Sequence, residues 1–338
     1  MPSSPTWLAT KNPHPRDTHI HFDEGPHTYT IQGINGVTAD TKFTSVTTSV
    51  HQHFEHFNAK EVIAAMMRNQ KKWNDPIANA KYYGKTAEEI EEMWSKAGRD
   101  AAAKGTEMHY KIECFYNDAD DTTATTPTDT ATDTDPDNNS CSPNESGGME
   151  RSCDAPTASF GESRTVSRHC SPDTPELKYF KNFHNEHVAG EQATLRPYRT
   201  EWTVFHEEAR IAGSIDMVYE VTDPTRRWGT DPPADTPLAI YDWKRCREIV
   251  KTNRGNKFAT HPAIEHLPDT NYWHYALQLN IYKYILQTKY DKTVTDLYLI
   301  VLHPEAQNYQ RIKLPDLQSE VAELFEERIR NFAAADAK

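Results

Sequence analysis

The chain has 338 residues, of which 26% are charged and 36% hydrophobic, and a formal net charge of -13. That length allows one large core or two smaller ones, and no apolar run reaches the roughly 18 residues a membrane span requires. Met1 to Asn12 lack the apolar stretch of a secretion signal, so an intracellular protein without a transmembrane segment is expected.

The acidity is local. Residues 117–176 hold thirteen Asp and Glu against three Arg, and the rest of the chain is close to neutral. Cys141, Cys153 and Cys170 lie in the same stretch, leaving Cys114 and Cys246. With no CxxC pair, a disulfide framework, a zinc ribbon and an iron-sulfur cluster are poorly supported. No phosphate-binding GxxxxGK[ST] loop is present, so no nucleotide cofactor is expected.

Residues 1–18, rich in Pro and Ser, are expected to fray. His27 to Gln32 alternates as a short strand. Thr44 or Ser45 offers an N-cap for a helix over Val46 to Phe57, and Asn58 with Glu61 makes a capping box for a second helix through Trp73. His51, His53 and His56 cluster, but a spacing of two then three fits no single helical face; a histidine-rich metal-storage protein is the function they would support.

Thr86 with Glu89 opens a longer helical stretch. Within it Gly98, Ala102, Gly105, His109 and Glu113 fall on one stripe, with Met108 and Ile112 on the adjacent, core-facing one. Two readings stay open: His109 and Glu113 project as ligands, or Gly105 breaks the helix and they are an exposed pair. Residues 117–176, with almost no large apolar side chains, read as a disordered insert. It divides an N-terminal part, 19–116, from a core, 177–338.

Glu176 to Val188 is expected to be helical. Thr200 to His206 reads as a strand with Trp202 and Val204 on one face and Glu201, Thr203 and Phe205 on the other, followed by a tight turn into a second strand. On that strand Ile211, Ile215, Met217 and Tyr219 repeat at period two, with Asp216 opposite. After a loop at 222–237, Ala239, Tyr241 and Trp243 repeat likewise, while Asp242 and Lys244 share the other face. Two carboxylates and an ammonium on neighbouring core strands need a reason to be buried together, and a divalent cation supplies one. Arg245, Arg247, Lys251, Arg254 and Lys257 then form the only clear basic run, either a solvated loop or a phosphate contact.

Asp269 is expected to cap a helix over Thr270 to Thr288. Trp273, Leu277, Ile281 and Tyr284 make its core stripe, and His274, Gln278 and Tyr282 line a second face that is either a polar site wall or an ordinary boundary. Strands at Leu297 to Leu302 and Tyr309 to Leu314 and a final helix capped by Asp316 complete the chain.

Gly105-x-x-x-His109-x-x-x-Glu113 on a helix, Gly213-Ser-Ile-Asp216 on a strand, Asp242-Trp-Lys244 on the next and Gln278-x-x-x-Tyr282 on a helix, in this order, resemble the PD-(D/E)xK nuclease superfamily. The likeness is to its RecB-like exonuclease branch, with mitochondrial genome-maintenance and phage or large-virus recombination nucleases, over roughly residues 98–290. The sequence departs from that pattern in having Ile215 rather than Pro before Asp216, and Asp242 where many members have Glu. Literal Pro-Asp pairs occur only in the insert or at expected helix caps.

The resemblance implies an α/β fold with a restriction-endonuclease-like core, a mixed central sheet flanked by helices. It implies that Asp216 and Asp242 bind Mg2+ or Mn2+, with His109 and the Trp243 carbonyl as further ligands and Glu113 either completing the shell or acting through water. Lys244 would orient and activate water, Gln278 and Tyr282 would support it or grip the nucleic-acid backbone, and Glu201 is a weaker site candidate. The implied activity is hydrolysis of DNA at ends or on single strands, in replication, recombination or repair. Alternatives are a junction-resolving endonuclease and a catalytically inactive DNA-binding module. Coupling to unwinding would come from a helicase or recombinase partner.

Overall fold

The computed structural model describes residues 7–117, 174–222, 235–253 and 255–336. The expected insert lies outside the described residues except at its two ends, and so do Arg254 and most of the 222–237 loop. In chain order the elements are α1 (Trp7–Lys11), a 3-10 turn (Pro15–His19), β1 (Ile20–Asp23), β2 (Thr28–Ile31), β3 (Thr44–Ser45), α2 (Val46–His51), α3 (Ala59–Arg68), α4 (Gln70–Trp73) and α5 (Ala87–Asn117). There follow α6 (Pro175–His187), β4 (Leu195–His206), β5 (Ile211–Val221), β6 (Leu238–Lys244), a second 3-10 turn (Pro262–Ile264), α7 (Asn271–Lys289), β7 (Val294–Val301), β8 (Gln310–Lys313) and α8 (Gln318–Asp336).

The architecture is α/β. A mixed six-stranded sheet runs β3-β5-β6-β7-β8, with β4 on the far edge of β5, and β1 and β2 form a separate hairpin. Helices cover both faces. On one, α2, α7 and α8 bury Val46, Val50, Leu277, Ile281 and Phe325 against Trp202, Ile215, Ile240 and Leu299. On the other, α1, the end of α5 and α6 bury Leu8, Met108, Ile112, Phe180 and Phe183 against Met217, Tyr219, Tyr241 and Trp243. No helix among the described residues is long and apolar enough to cross a membrane.

β5 shares one edge between two partners. β3 pairs with it in parallel at Ile211 and Ala212, and β6 pairs antiparallel from Met217 to Glu220. Residues 213–216 fall in the gap between them, where the sheet offers β5 no strand on that side.

Several expectations need correction. Ile211 and Ile215 pack in the first core, whereas Met217 and Tyr219 pack in the second. The change of face falls at Asp216, opposite Glu201, whose φ of 42° breaks the pleat of β4; a one-residue slip in alternation sends every later side chain to the other side. The region expected to fray is structured from Trp7. Leu8 is buried, its N–H donates to Asn117 Oδ1 (2.9 Å), and Asp17 accepts from Arg199 (2.7 Å) and Trp202 Nε1 (2.9 Å). α2 stops at His51, and the helix expected through Trp73 is divided at Asn69, which caps α4 through its side chain. Gly105 does not break α5, which is continuous over 31 residues. Asp269 does not cap α7; its carboxylate bonds His274 Nε2 (2.8 Å).

Candidate active site

The gap along β5 is filled by side chains from both helical layers. β4 brings Glu201: Thr200 pairs with Met217 and Trp202 with Ile215, so Glu201 stands across from Asp216. A non-glycine residue in left-handed backbone costs about 1–3 kcal/mol and persists only where its surroundings hold it. Ser214 Oγ donates to Glu201 Oε2 (2.9 Å) and fixes the carboxylate. Where the β5–β6 ladder ends, the Asp216 carboxylate takes the place of a strand partner and accepts the Trp243 N–H (2.9 Å).

From the other layer, α5 delivers His109. Its Nδ1 lies 3.4 Å from Asp216 Oδ2 and 3.9 Å from Glu201 Oε1. Its Nε2 bonds the Trp243 carbonyl at 2.9 Å, which fixes the ring. Ligand atoms of His109, Glu201 and Asp216 lie within 4.8 Å of one another, a set able to hold a cation. Burial alone would lower the His109 pKa, but the Asp216 and Glu201 carboxylates outweigh it and push it up to about 9.

Asp242 and Lys244 sit on the α7 side. Asp242 is buried, and burial together with the Asp216 charge pushes its pKa up to about 7 against the opposing pull of Lys244. Lys244 Nζ is 2.6 Å from Asp242 Oδ2, yet that oxygen has no well-directed hydrogen-bond donor. Burial would depress the Lys244 pKa, but Asp242 and Asp216 raise it overall, so the amine is an ammonium at neutral pH. The Tyr275 ring lies 4.7 Å from Nζ, a cation-π contact.

Tyr282 is buried beside Gln278 and packs so close to Gly213 that a Cβ there would fall 2.8 Å from its ring and hydroxyl. The glycine is therefore needed for close approach, not for a turn.

Against expectation, the cation-compatible group contains Glu201 and omits Asp242, and the Trp243 carbonyl is engaged by His109. Glu113, one turn beyond His109, is buried outside that group. Tyr275 and Tyr29, whose hydroxyl lies by the Glu201 carboxylate and the Ser214 backbone, were not singled out by sequence. Each described cation of the 245–257 run is engaged: Arg245 with Glu176 (2.6 Å), Arg247 with Glu305 (3.3 Å), Lys257 with Glu55 (2.6 Å), and Lys251 over the Tyr272 ring (4.7 Å). His51 and His53 face His274 and His261 in separate ring contacts, and neither they nor His56 join a cation-compatible group among the described residues.

No family model matches the sequence, and neither does any curated protein. Among solved structures, the crystal structure of SSO0001 aligns over 46% of this chain and 55% of its own, at 14% identity and a TM-score of 0.19. This chain thus spans little more than half of that protein, and a likeness so slight carries no argument.

Proposed function

We propose that this protein is a metal-dependent deoxyribonuclease of the PD-(D/E)xK type, acting on DNA ends or single strands, with its α/β core taken as restriction-endonuclease-like. The observation that carries the proposal is the meeting of His109, Glu201 and Asp216 beside the Asp242–Lys244 pair at the gap in the sheet.

The residues fit a divalent cation. The donor set is one imidazole nitrogen and carboxylate oxygens, suited to Mg2+ or Mn2+. Glu201, Asp216 and His109 would hold the ion, with Asp242 lining the site. The chemistry such an ion supplies is Lewis-acid polarisation of a phosphoryl oxygen and a lower pKa for water.

The chain's own groups do the rest. Lys244, protonated and held between Asp242 and Tyr275, serves as donor to a water or to the charge that develops on phosphorus-bound oxygen, rather than as the base that removes a proton. The Trp243 carbonyl orients His109, and the Trp243 N–H orients Asp216. Gln278 and Tyr282 wall the gap on the α7 side.

The test is incubation of end-labelled linear DNA, single- and double-stranded, and of covalently closed circles with Mg2+ or Mn2+. The parent should degrade linear DNA and spare closed circles, and Lys244→Ala should bind DNA without cutting it. Equal cutting of circles would favour an endonuclease. Parent-level turnover by Lys244→Ala would refute the assigned role, and no cleavage with either ion would refute the function.

A further inference from the structure

α5 carries the site at one end and an outlying structure at the other. From Ser95 to Lys104 every one of its residues is exposed, so the helix there touches no other layer. Beyond it, α3, α4, the 75–86 turn and the first turns of α5 pack on one another around Ile63 and Ile90 and make an arm.

Over residues 59–94 the arm balances six cations with six carboxylates, but the two are segregated, with Glu61, Glu88, Glu89, Glu91 and Glu92 on α3 and the start of α5 and five of the cations gathered between them. Between Met66 and Lys85 stand five cations, Arg68, Lys71, Lys72, Lys81 and Lys85, against one carboxylate. That carboxylate, Asp75, is occupied by the backbone N–H groups of Ile77 (2.9 Å) and Ala78 (3.0 Å). None of the five makes an ion pair among the described residues, although Lys81 lies 5.2 Å from the Tyr82 ring centroid. The 245–257 run, singled out by sequence because its cations outnumber acids and follow the Asp242–Lys244 strand, differs in that the fold supplies its described cations with partners. The arm also exposes Tyr83 (52%), with Trp73 and Tyr82 half-buried nearby and Tyr82 accepting a bond from Trp94 Nε1 (2.9 Å).

We infer that the arm is a single-stranded nucleic-acid contact surface, in which Arg68, Lys71, Lys72 and Lys85 track phosphates and Tyr83 stacks on a base. Uncompensated cations release counterions when they meet phosphate, and an exposed aromatic ring binds a base face only where bases are unpaired, which selects a single strand over a duplex. The inference rests on the nuclease reading for the route of the strand to the site. From Ala87 to His109 the helix rises about 33 Å, so a strand must extend over several nucleotides to engage arm and site together.

The experiment is fluorescence anisotropy of dT20, dT4 and U20 on the full chain in chelator, with cleavage of dT20 in Mn2+ read separately. Lys71→Gln/Lys72→Gln/Lys85→Gln should bind dT20 at least about a hundredfold more weakly at 50 mM salt. Its logarithmic salt slope should be flatter by about 2, so the parent's advantage shrinks about 20-fold between 50 and 200 mM salt. Tyr83→Ala should lose about tenfold, and dT4, too short to reach from arm to site, should bind the parent more weakly than dT20. Arg247→Gln/Lys257→Gln serves as the comparison and should stay near the parent. U20 reports whether the surface distinguishes RNA from DNA, and arm-dependent binding of either strand supports the inference.

Parent-like affinity and slope in the lysine variant would overturn the inference, as would a larger loss in the 247/257 variant or a parent that binds neither dT20 nor U20. A parent that binds dT20 through these lysines yet never cleaves it would instead overturn the nuclease reading and leave the arm standing. Cleavage by a parent whose arm variants bind normally would do the reverse.

Discussion

His109 should titrate far above an ordinary imidazole in the cation-free protein. Burial works against its charge, but Asp216 at 3.4 Å and Glu201 at 3.9 Å bring the pKa to about 9. The gap from the ordinary 6.5 corresponds to on the order of 3 kcal/mol favouring the imidazolium. Because the folded value lies above the unfolded one, this stabilisation is fully present below about pH 6.5 and is lost as pH rises through about 9. Proton NMR of the ring, assigned with His109→Gln, gives the pKa, and urea unfolding at pH 6 and pH 9.5 gives the stability. Asp216→Asn and Glu201→Gln should each lower the pKa and reduce the pH dependence of stability. Titration of the parent near or below 6.5 would refute the convergence of the two carboxylates on this ring.

Three further substitutions probe the frame around the site. Glu201→Gly should relieve the left-handed backbone at φ 42° and raise stability by about 1 kcal/mol, measured by urea unfolding in chelator at pH 9.5, where His109 is neutral, while cleavage is lost. Gly213→Ala should cost about 1–3 kcal/mol, because the new methyl would lie 2.8 Å from the Tyr282 ring and 2.9 Å from Val46 Cγ2; unchanged unfolding would show that α7 yields. Leu8→Ala should cost about 2–5 kcal/mol, because Leu8 is buried in the second core, and urea curves that overlay the parent would place α1 outside it.

The central strands were legible because their side chains alternate and because Asp216, Asp242 and Lys244 interrupt an apolar pattern with charge. The rank of Glu201 was not legible. Its importance comes from the hairpin register that sets it across from Asp216 and from a backbone angle that alternation does not encode. The same kink sends Ile215 and Met217 to opposite cores, which strict period two excludes. α1 escaped notice because a five-residue helix with one buried anchor has no periodicity, and its tie to Asn117 spans 109 residues. Tyr29 and Tyr275 were missed for the same reason, since what they touch is set by the fold. At Asp269, sequence showed an acidic residue before a helix, but a histidine five positions on claims the carboxylate.

The proposed centre is tested most directly by Mn2+ titration of the chelator-stripped protein, followed by electron paramagnetic resonance. One bound ion per chain is expected, with nitrogen coupling from His109 that disappears in His109→Gln, and with affinity lost in Asp216→Ala and weakened in Glu201→Gln. Binding undiminished in Asp216→Ala, or no binding by the parent, would contradict the assignment of these three residues to a cation.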